Sequence, residues 1–312
     1  MAKYAENAKD PYVDPASGVL KNRLGITDQD QLDKIEATFA AIRSAEMVTK
    51  PVAGKYDLEH LKTIHGRLFG DVYEWAGQTR SVDISKGESR FANAAMIESF
   101  GKDVFRQLGR ENNLRGLDAE EFSKRLGYHL GEINAMHPFR EGNGRTQREF
   151  ANQLARDNGY QISWDQMKRE DLNRAFIESF HGDSGRLSHM IRQNMTDLDH
   201  EKAAHIARNY AGDRVQIERA AEGQSYQGKV IASTDRYVVQ ERADTGAVVL
   251  HNRRALTADA EKIQGRDVEI RYPHGGAGLV KDVQRQAEAG HQLEAGKDRG
   301  GHQGHQGQER ER

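Results

Sequence analysis

The chain has 312 residues, 36% of them apolar and 30% charged, with a net charge of −2 and no cysteine. That composition excludes disulfides, thiolate metal sites and cysteine nucleophiles, and it gives no global field to draw the protein onto nucleic acid or acidic lipid. No apolar run approaches the roughly 18 residues that cross a bilayer, and Met1–Asp10 lacks the apolar centre of a secretory signal, so two domains of a cytoplasmic protein are expected, with no membrane partner.

Residues 1–28 read as a turn-rich lead-in. Leu32, Ile35, Phe39 and Ile42 then fall on one face of a first helix, which Pro51 and Gly54 end. A second helix is predicted near Asp57–Trp75, with Asp57 as N-cap and Leu58, Leu61, Ile64 and Leu68 buried. Ser81-Val82-Asp83-Ile84-Ser85 alternates like a strand and Lys86-Gly87 supplies a turn, so a β-hairpin is expected over Arg80–Phe91. Helices follow at 94–109, 118–136, 145–158, 166–181 and 184–207, the second carrying the stripe Phe122, Leu126, Leu130, Ile133. Beyond Asp213 short β-rich runs appear, among them Tyr237–Gln240, Ala247–His251 and Asp267–Tyr272. Their spacing suggests a small OB-like barrel. The fold class expected is therefore mainly α with a hairpin (1–210), then a small OB-like β-barrel (214–283), then a tail (284–312) too polar to order itself.

The segment His137-Pro-Phe-Arg-Glu-Gly-Asn-Gly-Arg-Thr-Gln-Arg148 carries the chemistry. Pro138 ends the preceding helix near His137. Gly142-Asn143-Gly144 permits a tight turn with uncovered N–H groups, and a new helix starts at once, making an anion site. Arg145 and Arg148 project from one face of its first turns, two guanidinium forks suited to a polyphosphate. Glu141 is a single carboxylate beside that nest, as Mg²⁺ on a nucleotide requires. His137 has the pKa range of a general base. Without that convergence the segment would be a helix–turn–helix corner with solvated arginines, and His65, His129, His181 and His189 read as ordinary core or surface histidines.

This segment resembles the Fic family motif, His-x-Phe-x-(Asp/Glu)-Gly-Asn-Gly-Arg-x-x-Arg, at every specified position. The resemblance extends over roughly residues 10–200, through Leu20–Gly25, Tyr73–Arg80 and Ile84–Gly87. It implies a protein adenylyltransferase. His137 would deprotonate a Tyr, Thr or Ser hydroxyl of a target protein, which attacks the α-phosphorus of ATP and releases pyrophosphate. Glu141 would hold Mg²⁺; Gly142, Asn143 and Gly144 would cradle phosphate oxygens; Arg145 and Arg148 would neutralise the outer phosphates; Lys86 and Gly87 would contact the nucleotide; Phe139 would anchor the loop. The hairpin, with Ile84, Ser85 and Phe91, would dock an extended target segment by strand addition. Transfer of another group, such as UMP or phosphocholine, and a non-catalytic binding module remain as alternatives.

Residues 214–282 carry 11 Lys/Arg and 10 Asp/Glu with no basic run, so nucleic acid is not expected as a partner of the barrel. A Fic domain followed by a small barrel resembles effectors exported by conjugation-type secretion systems. Many Fic proteins carry an inhibitory (Ser/Thr)-x-x-x-Glu-(Gly/Asn) helix. The Glu-Gly and Glu-Asn steps here, at Glu6, Glu111, Glu141 and Glu222, follow Ala2, Gln107, His137 and Glu218 at the fourth position before them, so none matches. The resemblance then implies a toxin or effector restrained in trans by a small antitoxin-like partner.

Overall fold

Asp28, Asp57 and Asp118 each accept a hydrogen bond from a main-chain N–H of the next turn, and so start α1 (Gln29–Thr49), α2 (Leu58–Phe69) and α4 (Ala119–Met136). The computed structural model describes residues 10–87, 89–273 and 276–282. The tail at 284–312 and the first nine residues lie outside them. The described residues divide into two compact units, parting between Asp197 and Leu198. Among them, no helix is long and apolar enough to cross a membrane.

In the first unit, two short strands, β1 (Ser85–Lys86) and β2 (Ser89–Arg90), form the hairpin. After them come α3 (Ile97–Arg110), α4, α5 (Asn143–Asp157), β3 (Tyr160–Ile162), α6 (Arg169–Phe180), α7 (Gly185–Gln193) and β4 (Met195–Asp197). The central helix is α4, packed against α3, α5, α6 and α7. Its stripe Phe122, Leu126, Leu130, Ile133 is buried as the 3.6-residue period predicts. Gly127 and Gly131 let it approach closely, since a Cβ there would stand 2.3 Å from Ser188 Oγ and 2.0 Å from Ser179 Oγ.

Two expectations change. The buried face of α1 is Leu32, Glu36, Ala40 and Met47, whereas Ile42 is 49% exposed. The face is turned because Glu36 is held inside by Tyr73 and Arg145. The single helix predicted at 184–207 is broken at β4, which pairs antiparallel with β3. The next helix, α8 (Leu198–Ala211), belongs to the second unit.

There, β5 (Ile217–Arg219), β6 (Ser225–Ser233), β7 (Tyr237–Glu241), β8 (Val248–Asn252), α9 (Ala260–Ile263), β9 (Asp267–Arg271) and β10 (Leu279–Asp282) come in order. The six strands form one sheet of order β10-β9-β6-β7-β8-β5, antiparallel except for β5 beside β8. Strand β6 pairs with β9 over Ser225–Lys229 and with β7 from Val230 on, with a register shift between Val230 and Ala232. A Cβ at Gly228 would meet Glu241 O at 1.9 Å. The curled sheet encloses Tyr226, Val230, Val238, Val249, Val268 and Ile270, with α9 closing that core. Val239, Val248 and Leu250 pack instead on Ala203 and Ala207 of α8.

A polar network is buried in this unit. The Gln240 amide donates to Gly228 O and Val268 O, so its oxygen accepts from His251 Nε2, and His251 Nδ1 accepts from Tyr272 OH. Burial holds the His251 pKa down at about 3 from an ordinary 6.5. The folded unit therefore refuses a proton that the unfolded chain takes up below pH 6.5. Its stability should be flat above that pH and fall by about 1.4 kcal/mol per unit below it. Hydrogen exchange of the β7 and β8 amides at pH 7 and pH 5 reads this; protection that does not fall at pH 5 would sink it.

Candidate active site

The loop between α4 and α5 is built by its own residues. His137 ends α4 in a left-handed conformation (φ 45°, ψ 63°), which a non-glycine residue holds only when its surroundings impose it. The imposing group is Arg80. This buried guanidinium donates from Nε to His137 O at 2.8 Å, from Nη1 to Val82 O at 2.7 Å, and from Nη2 to Ala92 O at 2.5 Å and Met136 O at 3.3 Å. One side chain thus ties the end of α4 to both feet of the hairpin. Arg80→Lys, a point charge that cannot span four carbonyls, should lower turnover about tenfold and leave nucleotide affinity unchanged. Equal turnover in the variant, measured at saturating nucleotide, would argue against this positioning.

Two further groups fix the loop. Asn143 grips Phe139 at both main-chain atoms, accepting from its N–H at 2.9 Å and donating to its carbonyl at 2.7 Å. The buried His65 stacks on Phe139 at 3.9 Å between ring centroids. Its Nδ1 accepts from Gly77 N–H and its Nε2 donates to Glu141 O, which defines a neutral tautomer; burial lowers its pKa to about 3. Gly142 has φ +81°, and a Cβ there would lie 2.4 Å from the Phe69 ring, so only glycine fits.

His137 Nδ1 lies 3.3 Å from Asn134 O, a pairing that puts the proton on Nδ1 and the lone pair on Nε2. The ring is stacked on Phe91, 3.8 Å away and tilted by 14°. Burial lowers its pKa to about 3; the charges of Arg80 and Lys86 act in the same direction, and the bond to Asn134 opposes them.

A cavity of about 460 Å³ opens beside this ring. From the loop and hairpin it collects Lys86, Gly87, Phe91, His137, Gly144 and Arg148. Arg148 has no carboxylate partner among the described residues, and burial pushes its pKa down, with Arg145 and Arg169 adding to the effect. The opposite wall is α6, with Leu172, Phe176, Ile177 and Phe180. Sequence reasoning does not single out this wall; its signal is an apolar stripe on a helix whose Ile177 is 54% exposed.

Several expected residues stand elsewhere. Arg145 stacks its guanidinium over Phe69, pairs with Glu36 and lies 3.7 Å from Glu141. It lines a second cavity of about 420 Å³, where Ala37, Ala40, Ala41 and Ser44 of α1 face Arg148 and Glu149 of α5. The Asn143 side chain is tied to Phe139, which leaves only its main chain for a phosphate. Ile84 and Phe91 are buried with Val82 and Phe180, so they anchor the hairpin, and what it offers a partner is main chain around Ser85. Glu141 accepts from Gly142 N–H at 3.0 Å. Among the described residues no cluster of three or more His, Asp or Glu side chains could hold a metal ion. An ion here would take one carboxylate and draw its other ligands from nucleotide and water, which Mg²⁺ does readily.

Comparison with known proteins identifies this arrangement. Residues 55–155 match the Fic/DOC family. The chain is 39% identical over 181 residues to a probable protein adenylyltransferase Fic of Escherichia coli, covering 89% of that protein. The chain belongs to the Fic family of protein adenylyltransferases. It is also 56% identical over 198 residues to the protein adenylyltransferase VbhT of Bartonella schoenbuchensis, a match spanning 64% of this chain and 41% of VbhT. Among solved structures, a Bartonella quintana Fic domain with bound ADP superposes with a TM-score of 0.56 at 29% identity, covering 60% of this chain and 95% of that one. BepC of Bartonella tribocorum with bound AMPPNP gives 0.56 at 25% identity, over 60% and 97%. Residues 225–281, in the second unit, match the KfrB domain.

Proposed function

We propose that this Fic protein transfers AMP from ATP to a Tyr, Thr or Ser hydroxyl of a target protein. The observation that carries the reading is the 460 Å³ cavity, which sets a histidine with its lone pair on Nε2 and an arginine with no carboxylate partner among the described residues against an apolar wall. The wall of α6 receives the adenine, and Gly144 and Arg148 receive the phosphates. Nε2 of His137 takes the hydroxyl proton as the hydroxyl oxygen bonds to the α-phosphorus; the bond from that phosphorus to the bridging oxygen breaks and pyrophosphate leaves. Glu141 would hold Mg²⁺, which supplies charge neutralisation on the phosphates. Strands β1 and β2 pair with no third strand among the described residues, so the hairpin edge is available to hold the target segment by strand addition.

The test is incubation of the chain with Mg²⁺ and either α-labelled or γ-labelled ATP in bacterial and eukaryotic lysates. A protein band carrying the α-label alone is expected. A band carrying the γ-label would refute AMP transfer, and the size of an α-labelled band identifies the target.

Restraint in trans by a small antitoxin-like protein is part of this reading. It is supported by the small-residue groove of Ala37, Ala40, Ala41 and Ser44, which leads to Arg148 from the side away from the nucleotide cavity. Arginine at Ala41 should relieve inhibition by such a partner without changing basal turnover. Unchanged inhibition would exclude this groove. Export through a conjugation-type secretion system is proposed from the likeness to VirB-translocated Bartonella proteins; a translocation reporter fused to the chain reads it, and no transfer would end it.

A further inference from the structure

Helix α5 buries five polar side chains, and four of them are satisfied. Asn143 holds Phe139, Thr146 donates to Gly142 O, Glu149 binds Ser44 and Arg156, and Gln153 reaches Glu149 and His60. Gln147 differs. It is 2% exposed, its Nε2 is buried without a partner, and neither end of its amide makes a hydrogen bond among the described residues. An amide left unpaired in a protein wall is held at a cost to the fold, so such a group calls for a partner that arrives later.

Its position indicates which partner. Gln147 lines the nucleotide cavity one helical turn after Gly144 and directly before Arg148. Its surroundings are cationic, since Lys86 and Arg148 line the same cavity. A neutral amide among cations in the second turn of a helix meets anionic oxygen by preference, and half a turn about its last bond presents either end to the cavity. The apolar wall that suits a base belongs to α6, across the cavity.

Resting on the nucleotide reading above, we infer that the Gln147 amide donates to a β- or γ-phosphate oxygen of the bound triphosphate and helps select ATP over nucleotides with fewer phosphates. The residue then binds substrate uniformly through the reaction. Its loss raises KM and leaves kcat in place.

The experiment uses the full chain, wild type, Gln147→Met (similar length, no amide) and Gln147→Glu (acceptor only). Binding of ATP, AMP and inorganic pyrophosphate is measured by calorimetry with Mg²⁺, and the melting temperature is measured without ligand. Expected for Gln147→Met is about tenfold weaker ATP and pyrophosphate binding, unchanged AMP binding, and a ligand-free melting temperature equal to or above wild type, because an unpaired amide has been removed. Gln147→Glu should weaken ATP further by placing an anion against phosphate. Unchanged ATP affinity in Gln147→Met overturns the inference. So does equal weakening of AMP, which would place the contact at base, ribose or α-phosphate. A clear drop in ligand-free melting overturns it as well, since the amide would then be structural. A wild-type chain that binds none of the three ligands overturns this inference together with the nucleotide reading, and the variants alone cannot produce that result.

Discussion

Replacing His137 by alanine is expected to lower AMP transfer by about 10²–10⁴-fold while nucleotide affinity stays within about threefold. Among the described residues that line the cavity there is then no other His, Asp or Glu to take the proton of the attacking hydroxyl, whereas the groups that face the phosphates and base are unchanged. Alanine keeps the left-handed strain of about 1–2 kcal/mol that residue 137 already carries and loses the imidazole contacts to Asn134 and Phe91. Asparagine tolerates that conformation and is no base, so His137→Asn should be equally inactive and better folded. The pH dependence carries a second test. In the free enzyme burial holds the His137 pKa at about 3, so the acid limb of kcat/KM lies below pH 5. A bound triphosphate brings negative charge beside the ring, favours the imidazolium and raises that pKa. The acid limb of kcat should therefore lie at higher pH than that of kcat/KM. The reverse order, or a limb that persists in His137→Asn, would mean that another group takes the proton.

The loop from His137 to Arg148 is legible because its punctuation is local: Pro138 and Gly142 mark in the sequence where one helix ends and the next begins. The stripe of α4 is legible for the same reason, a period confined to one element. What escapes the sequence depends on partners far along the chain. Glu36 lies off the predicted apolar stripe of α1 until Tyr73 and Arg145, 37 and 109 positions away, are folded against it, and those two contacts turn the buried face of α1. Arg80 is, from sequence, only the residue where the expected hairpin begins, and its work is to collect four carbonyls from three segments. Strands β3 and β4, three residues each, are too short to show a period, so the break between α7 and α8 is invisible. In the second unit the strand runs are readable. The network of Gln240, His251 and Tyr272 is not, since each alone looks like an exposed polar residue in a strand.

Arg145 and Arg148 stand one turn apart in the same motif, yet removing them should have opposite effects on stability. Arg148 is a desolvated cation with no carboxylate among the described residues, next to two other arginines. The folded protein holds it at a cost, and a polyanion is what would relieve that cost. Arg148→Met should weaken ATP binding about 100-fold, the loss of two charge-assisted hydrogen bonds at roughly 1.5 kcal/mol each, and should leave the ligand-free melting temperature unchanged or raised. Arg148→Lys keeps the charge without the fork and should lose about tenfold. Arg145→Met removes the cation paired with Glu36, which is 2% exposed and keeps the Tyr73 hydroxyl but no counter-charge among the described residues. A buried carboxylate stranded in this way destabilises by about 3–5 kcal/mol, so that variant should melt well below wild type. Paired melting curves with and without ATP separate the two arginines. If Arg148→Met melts low and binds ATP normally, its guanidinium is a structural group and the phosphates of this Fic protein are met elsewhere. If it melts as wild type and loses ATP, the Arg148 charge, without a carboxylate among the described residues, is held at a cost to the fold that the nucleotide offsets.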